Sequence, residues 1–418
     1  MLYQPNLLEI DITLTFYIFE EEIFMHIEIS KSKLVESLSS VVKFAGKDKK
    51  EPILESILIV AETDKLRFIA TNSKETIERI VFCDEDVSVI SEGTVLVEKK
   101  IVDVAKKLTK EPIKLKLSKN TLQVISGKSK FTLNTFKVSD YPVIKPSQAE
   151  YFADIECSIL EEAINSVCYA ASTSNQRPIL KGIHLTVSEN LITFQSTDSH
   201  QLAYKAIKLQ TAFKEEIKMT IPAIALKEAI NSFDTKKSIK LSKLDNTFIL
   251  SSDTETFRTQ TLEGDYPDVL VRLLSPLYEN VILVNKREIL EALEQIMLFT
   301  SNKPTGIFTL NNNAITIENE EKSEGNAQIL IQTEDITTPD PSVKPEDSII
   351  KFGFNVQLLY TSIKVINCDL ISIGFNGEKK PISIVHEDYY NNLGVNSTEP
   401  LQPIHYSDFR FILPSIIN

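Results

Sequence analysis

Few side chains in this sequence are placed to do chemistry, and most of them stand alone. Asp198 and His200 are two residues apart, so on an extended strand they would project from one face. A hydrolase could use such a pair to orient a general base. Nothing nearby supports it. The other histidines, His26, His184, His386 and His405, are scattered, and neither a GxSxG elbow nor a P-loop occurs. Only 11 of the 418 residues are Gly, so phosphate-cradling loops have little raw material. Cys83, Cys157, Cys168 and Cys368 lie far apart with no CxxC pair, which suggests neither a zinc site nor a disulfide framework. A reduced cytoplasmic compartment fits that usage. The expectation is no catalytic residue, no metal and no cofactor, with an Asp198/His200 hydrolase as the competing enzyme reading.

The lysines are more informative. A net charge of −13 argues, taken alone, against a nucleic-acid partner. A sum hides a distribution, however. Lys31, Lys33, Lys43, Lys99, Lys100, Lys106 and Lys107 fall on helical segments, with Lys110 just beyond. Lys47, Lys49 and Lys50 share one loop, and Lys227, Lys236, Lys237, Lys286 and Arg287 follow further on. On a single helix, such lysines are only a solvated face. If the helices share one side, that side is basic inside an acidic shell, and Lys–phosphate contacts give affinity without sequence readout. The residues expected to face DNA are Lys47, Lys49, Lys50, Lys99, Lys100, Lys106, Lys107 and Lys227.

The elements that carry these residues repeat. KLVESLSSVV (33–42) and ILEEAINSVC (159–168) have the same apolar spacing, with Leu34, Leu38 and Val41 becoming Leu160, Ile164 and Val167 at a shift of 126. ILEALEQI (289–296) is a third copy, and i, i+4, i+7 is one face of an amphipathic helix. The shift continues through EPILESILIV (51–60) and RPILKGIHLT (177–186), each read as a strand entered through Pro. It aligns the turns Thr71-Asn72-Ser73 and Thr197-Asp198-Ser199, and Asp140-Tyr141-Pro142 recurs as Asp265-Tyr266-Pro267. Three equivalent domains of roughly 130 residues follow.

Each domain contains a second helix, at 97–108, 222–233 and 354–366, followed by short alternating strands such as IKLKLS (113–118), SIKLS (238–242) and LISIGF (370–375). Polar turns between short strands favour antiparallel meanders, so the expected class is α+β, with two helices on antiparallel sheets in each of three tandem pseudo-repeats. The boundaries are placed at 25–147, 148–276 and 277–418. Residues 1–24 lack a basic n-region and carry Glu20, Glu21 and Glu22, so they are read as an extension outside the core rather than a signal peptide. No apolar run approaches the roughly 18 residues that span a bilayer.

RPILKG (177–182), STDSHQLA (196–203), EGDYPD (263–268), FGFNVQLLY (352–360) and FILP (411–414), in this order and spacing, resemble the bacterial DNA polymerase III beta sliding clamps. The resemblance covers Met25 to Asn418 and implies a DNA clamp fold that forms a ring. In that family two subunits close head to tail, with helices lining a hole around duplex DNA. It also implies a replicative polymerase subunit, a clamp loader and repair proteins with clamp-binding peptides as partners, in the cytoplasm. A clamp-like paralogue with a regulatory or drug-resistance role is the second reading.

The family's peptide pocket lies between its second and third domains. Position by position it falls here on Arg177, Leu180, Thr197, His200, Leu202, Pro267, Leu273, Phe411, Leu413 and Pro414. Such a socket takes Leu or Phe anchors while polar groups orient the peptide backbone. Ser199 stands where the family usually has Gly. The run after Pro267 is one residue longer than usual, so Arg272 or Leu273 could fill that position, and Leu273 is preferred because the socket is apolar. Residues 389–406 read as an insertion, and the chain ends SIIN.

Overall fold

The computed structural model describes residues 23–48, 50–142, 149–268, 280–300, 304–311, 314–320, 325–337, 350–375, 380–386 and 408–412. Lys49, Leu273, His405, Leu413, Pro414 and the segment 389–406 lie outside these residues. The chain falls into two compact units, Met1–Ala70 with Arg79–Pro142, and Thr71–Glu78 with Val143–Asn418.

In the first unit, the strand Ile23–Ile29 is paired on both sides, with Ile27 opposite Val89 on one side and Leu115 on the other, both antiparallel. The meander Ile113–Ser118, Thr121–Ser126 and Ser129–Phe136 follows. Helix α1 (Lys31–Val41) buries Leu34, Leu38 and Val41, the apolar face its spacing predicts. Helix α2 (Lys100–Lys107) packs on α1 and buries Ile101, Val102 and Ala105. It begins later than the sequence pattern suggests, because Gly93–Glu98 is a strand paired with Ser56–Glu62.

The second unit repeats the arrangement. Helices α3 (Cys157–Cys168) and α4 (Ala223–Ile230) pack together, and Glu150–Glu156 pairs with Ser238–Leu244, Ile155 opposite Ile239. Two long strands, Gly182–Thr197 and Gln201–Pro222, run antiparallel along their length. Helices α5 (Lys286–Met297) and α6 (Val356–Lys364) form a third pair. Their starts are capped by Asn285, whose Oδ1 accepts from the amides of Arg287 at 3.0 Å and Glu288 at 3.3 Å, and by Asn355, which accepts from Leu358 N at 3.0 Å. Each cap satisfies amides the helix cannot. The pair buries Ile289, Leu293, Leu359 and Ile363 in one core with Phe308 and Phe352, whose rings stack at 4.9 Å between centroids.

The Pro-entered segments differ from their sequence reading. Each opens with a 3-10 turn, Pro52–Glu55 or Pro178–Lys181, and only then continues as the strand Ser56–Glu62 or Gly182–Thr197. Proline has a preset helical φ and no amide to leave unpaired at a first turn. The repeat extends to these hydrogen bonds: Gly46 N donates to Leu54 O at 2.7 Å, and Ser172 N to Leu180 O at 2.8 Å, the same pair shifted by 126. Gly182 is required by close approach, since a Cβ there would sit 2.4 Å from Thr220 Cγ2.

Candidate functional site

The turn that carries most of the candidate residues is built by its own side chains. Thr197 Oγ1 donates to Gln201 O at 2.6 Å and accepts from Ser199 N at 3.1 Å. Asp198 Oδ1 accepts from the amides of His200 at 2.8 Å and Gln201 at 2.9 Å, while its Oδ2 accepts from Gln201 Nε2 at 3.0 Å. The first repeat has the same set. Thr71 Oγ1 donates to Glu75 O at 2.8 Å, Ser73 N donates to Thr71 Oγ1 at 3.1 Å, and Asn72 Oδ1 accepts from Lys74 N and Glu75 N at 3.1 and 2.8 Å. Ser73 and Ser199 both take positive φ, 76° and 81°. This is the left-handed geometry for which Gly is the usual residue.

That geometry overturns the hydrolase reading. Asp198 and His200 lie in a turn, not side by side on a strand, and both carboxylate oxygens of Asp198 are occupied by the turn's own donors. The His200 ring is exposed and is not held by Asp198. Asx-type bonding of this kind is what Asp does in turns generally.

Four strands then set the remaining residues in a row. Thr197 stands opposite Leu202, Leu202 opposite Phe411, and Phe411 opposite Ser383. The seam between Gln201–Lys205 and Asp408–Ile412 thus brings together residues remote in sequence. Thr197 and Leu202 are 4% and 2% exposed, and Leu180 is 2% exposed, so these side chains belong to the packed wall. Arg177, just ahead of its 3-10 turn, is exposed, and Pro267 is half-buried. The Asp-Tyr-Pro repeat ties Pro267 to this sheet, because Tyr266 Oη donates to Gln195 O at 3.5 Å and its ring stacks on His184 at 4.6 Å. Burial pushes the Tyr266 phenol above its ordinary pKa and lowers that of His184. Neither Tyr266 nor His184 is among the residues expected from the sequence, and the recurrence of Asp-Tyr-Pro is the one signal that marks Tyr266.

The lysines divide into two groups. Lys47, Lys50, Lys100, Lys106, Lys107 and Lys227 are exposed, with no carboxylate at ion-pair distance among the described residues. On α2, Lys100, Lys106 and Lys107 lie away from the buried Ile101, Val102 and Ala105, and the last two sit where the helix dipole favours a cation. Lys99 differs: it precedes α2 and is held by Glu55 at 2.6 Å. Lys33, on α1, is likewise paired, with Asp84.

All four cysteines are free. Burial pushes the thiol of Cys157 up to about 11 and raises that of Cys168, which opposes the thiolate that nucleophilic chemistry needs. Among the described residues no group of three His, Cys, Asp or Glu could hold a metal ion, and no helix is long and apolar enough to cross a membrane.

Residues 25–145 match the DNA polymerase III beta subunit N-terminal domain, and residues 154–268 match that family's central domain. The beta sliding clamp of Bacillus subtilis strain 168 is 26% identical over 367 residues, covering 86% of this chain and 95% of the relative. That of Streptococcus pneumoniae serotype 4 is 25% identical over 373 residues, covering 87% and 96%. The crystal structure of the Bacillus subtilis DNA polymerase sliding clamp superposes with a TM-score of 0.82 at 23% identity, over 94% of this chain and 100% of that one. With the two domain descriptions together spanning more than half of its length, the chain belongs to the DNA polymerase III beta subunit family, the beta sliding clamps.

Proposed function

We propose that the protein is a non-catalytic processivity factor. Its three domains, 25–147, 148–276 and 277–418, close with those of a second copy into a head-to-tail ring around duplex DNA in the cytoplasm. The ring tethers the replicative polymerase subunit, and the clamp loader and repair proteins reach it through the same peptide pocket. A closed ring leaves no free sheet edge, and a topological link lets an acidic protein hold DNA through weak contacts. The exposed lysines of α2 and Lys227 supply the attraction.

One observation carries the peptide site: the strand seam that sets Leu202 opposite Phe411, with Thr197 next in the row. It joins the STDSHQLA motif to the C-terminal FILP motif, which supports a socket completed by Leu413, Pro414 and Leu273. A hot-spot Leu contact is worth about 2–4 kcal/mol, or roughly 30- to 1000-fold in affinity. Leu413→Ala should weaken a peptide with two or three apolar anchors by that factor in a fluorescence-anisotropy titration, at an unchanged melting temperature. Unchanged affinity would remove the pocket from this place, and no binding by the wild type would remove the peptide reading. Ring closure is tested by light scattering, which should report about twice the 47.2 kDa chain mass.

A further inference from the structure

Beside the row Thr197–Leu202–Phe411, the same sheet borders a groove of about 1170 Å³. One wall is the long antiparallel pair Gly182–Thr197 and Gln201–Pro222, and the other includes the segment Thr261–Asp268. Gln195 and Tyr204 both line it and stand opposite each other, two residues along from the opposed Thr197 and Leu202. Positions i and i+2 of a strand share a face, so the groove continues the candidate socket at a spacing of about 7 Å. Pro267 belongs to both.

Gln195 is 9% and Tyr204 2% exposed, and neither Gln195 Nε2 nor Tyr204 Oη has a hydrogen-bond partner among the described residues. Buried polar groups in folded proteins are nearly always paired, so two orphans lining one groove point to a ligand that completes them. Gln195 Nε2 can only donate and Tyr204 Oη can donate, and an extended peptide backbone offers carbonyls to both. The rim has a sign as well. Glu189, Asp245, Glu263, Asp265 and Asp268 are exposed around it. Its two lysines already hold carboxylates, Lys218 with Glu216 at 2.8 Å and Lys243 with Glu150 at 3.2 Å. A basic segment is complementary to that rim, and a nucleic-acid strand is repelled by it.

We propose that this groove receives a Lys- or Arg-rich flank of the partner peptide whose apolar anchors occupy the adjoining socket, an inference that rests on that socket. The test is fluorescence anisotropy with the full chain and four peptides: the anchors alone, the anchors with a basic flank at either end, and the anchors with an acidic flank. One basic flank should tighten binding roughly tenfold at low salt, with the gain fading as salt screens the rim charges, and the acidic flank should add nothing. The double variant Glu263→Lys, Asp268→Lys should abolish the gain, and Tyr204→Phe should reduce it. Both should leave the affinity for the anchors alone unchanged. The surface charge variant keeps the test valid if Tyr204→Phe disturbs folding. Anchors that bind without gaining from either basic flank would overturn the groove and leave the socket standing. Anchors that fail to bind at all would overturn the socket and, with it, this inference.

Discussion

Replacing Lys100, Lys106 and Lys107 together by Gln tests whether α2 attracts DNA electrostatically. All three are exposed on the face opposite Ile101, Val102 and Ala105, so their removal leaves the buried side of the helix intact. Gln is preferred to Glu because an acidic residue at positions 106 and 107 would also oppose the helix dipole and confuse stability with binding. If each lysine neutralises one phosphate, the slope of log affinity against log salt falls by about 0.9 per contact, or about 2.7 for three. Over a fourfold rise in salt the wild type then loses about 40-fold more affinity than the variant, so the two converge. The assay is anisotropy of a labelled duplex titrated at several salt concentrations, with thermal melting as the folding control. Lys99→Gln is the internal comparison. Its ammonium is already held by Glu55 at 2.6 Å, so its slope should change least. A triple variant with the wild-type slope would refute the basic-face assignment, and a Lys99→Gln effect as large as that of each exposed lysine would refute the division between paired and free cations.

Ser199→Gly should stabilise the protein by about 0.5–1 kcal/mol, since φ 81° is strained for Ser, and chemical denaturation would read it. Gly182→Ala should destabilise by about 1–3 kcal/mol, because its Cβ meets Thr220 Cγ2 at 2.4 Å, and a wild-type melting curve would contradict that packing. The hydrogen bond from Lys114 at 2.7 Å holds the Glu28 carboxyl below the ordinary Glu range, and the bond from Lys33 does the same for Asp84. A depressed carboxyl contributes its full stability above its unfolded pKa and loses it as pH falls through the folded value. Glu28→Gln should therefore flatten the acid limb of the melting temperature against pH, and an unaltered limb would show that the ion pair adds nothing.

Local order was legible in the residues themselves. The spacing of Leu34, Leu38 and Val41 named the buried face of α1, and its repeat at Leu160, Ile164 and Val167 named that of α3. Helix faces follow from a 3.6-residue period, which needs no knowledge of the partner surface. The paired turns at Thr71 and Thr197 were equally visible, because Thr, Asn and Asp form such turns with their own neighbours. Tertiary structure decided what each charge and each polar strand residue faces. No pattern distinguishes Lys99 from Lys100, yet one meets Glu55 and the other meets no carboxylate among the described residues. Asp198 and His200 looked like a reactive pair in linear spacing, until the positive φ of Ser199 turned the chain between them. The seam of Leu202 with Phe411 depends on strand register between distant segments, and the groove at Gln195 and Tyr204 takes its other wall from the remote segment Thr261–Asp268. Register is set by the packing of whole sheets and is carried by no single stretch of the chain.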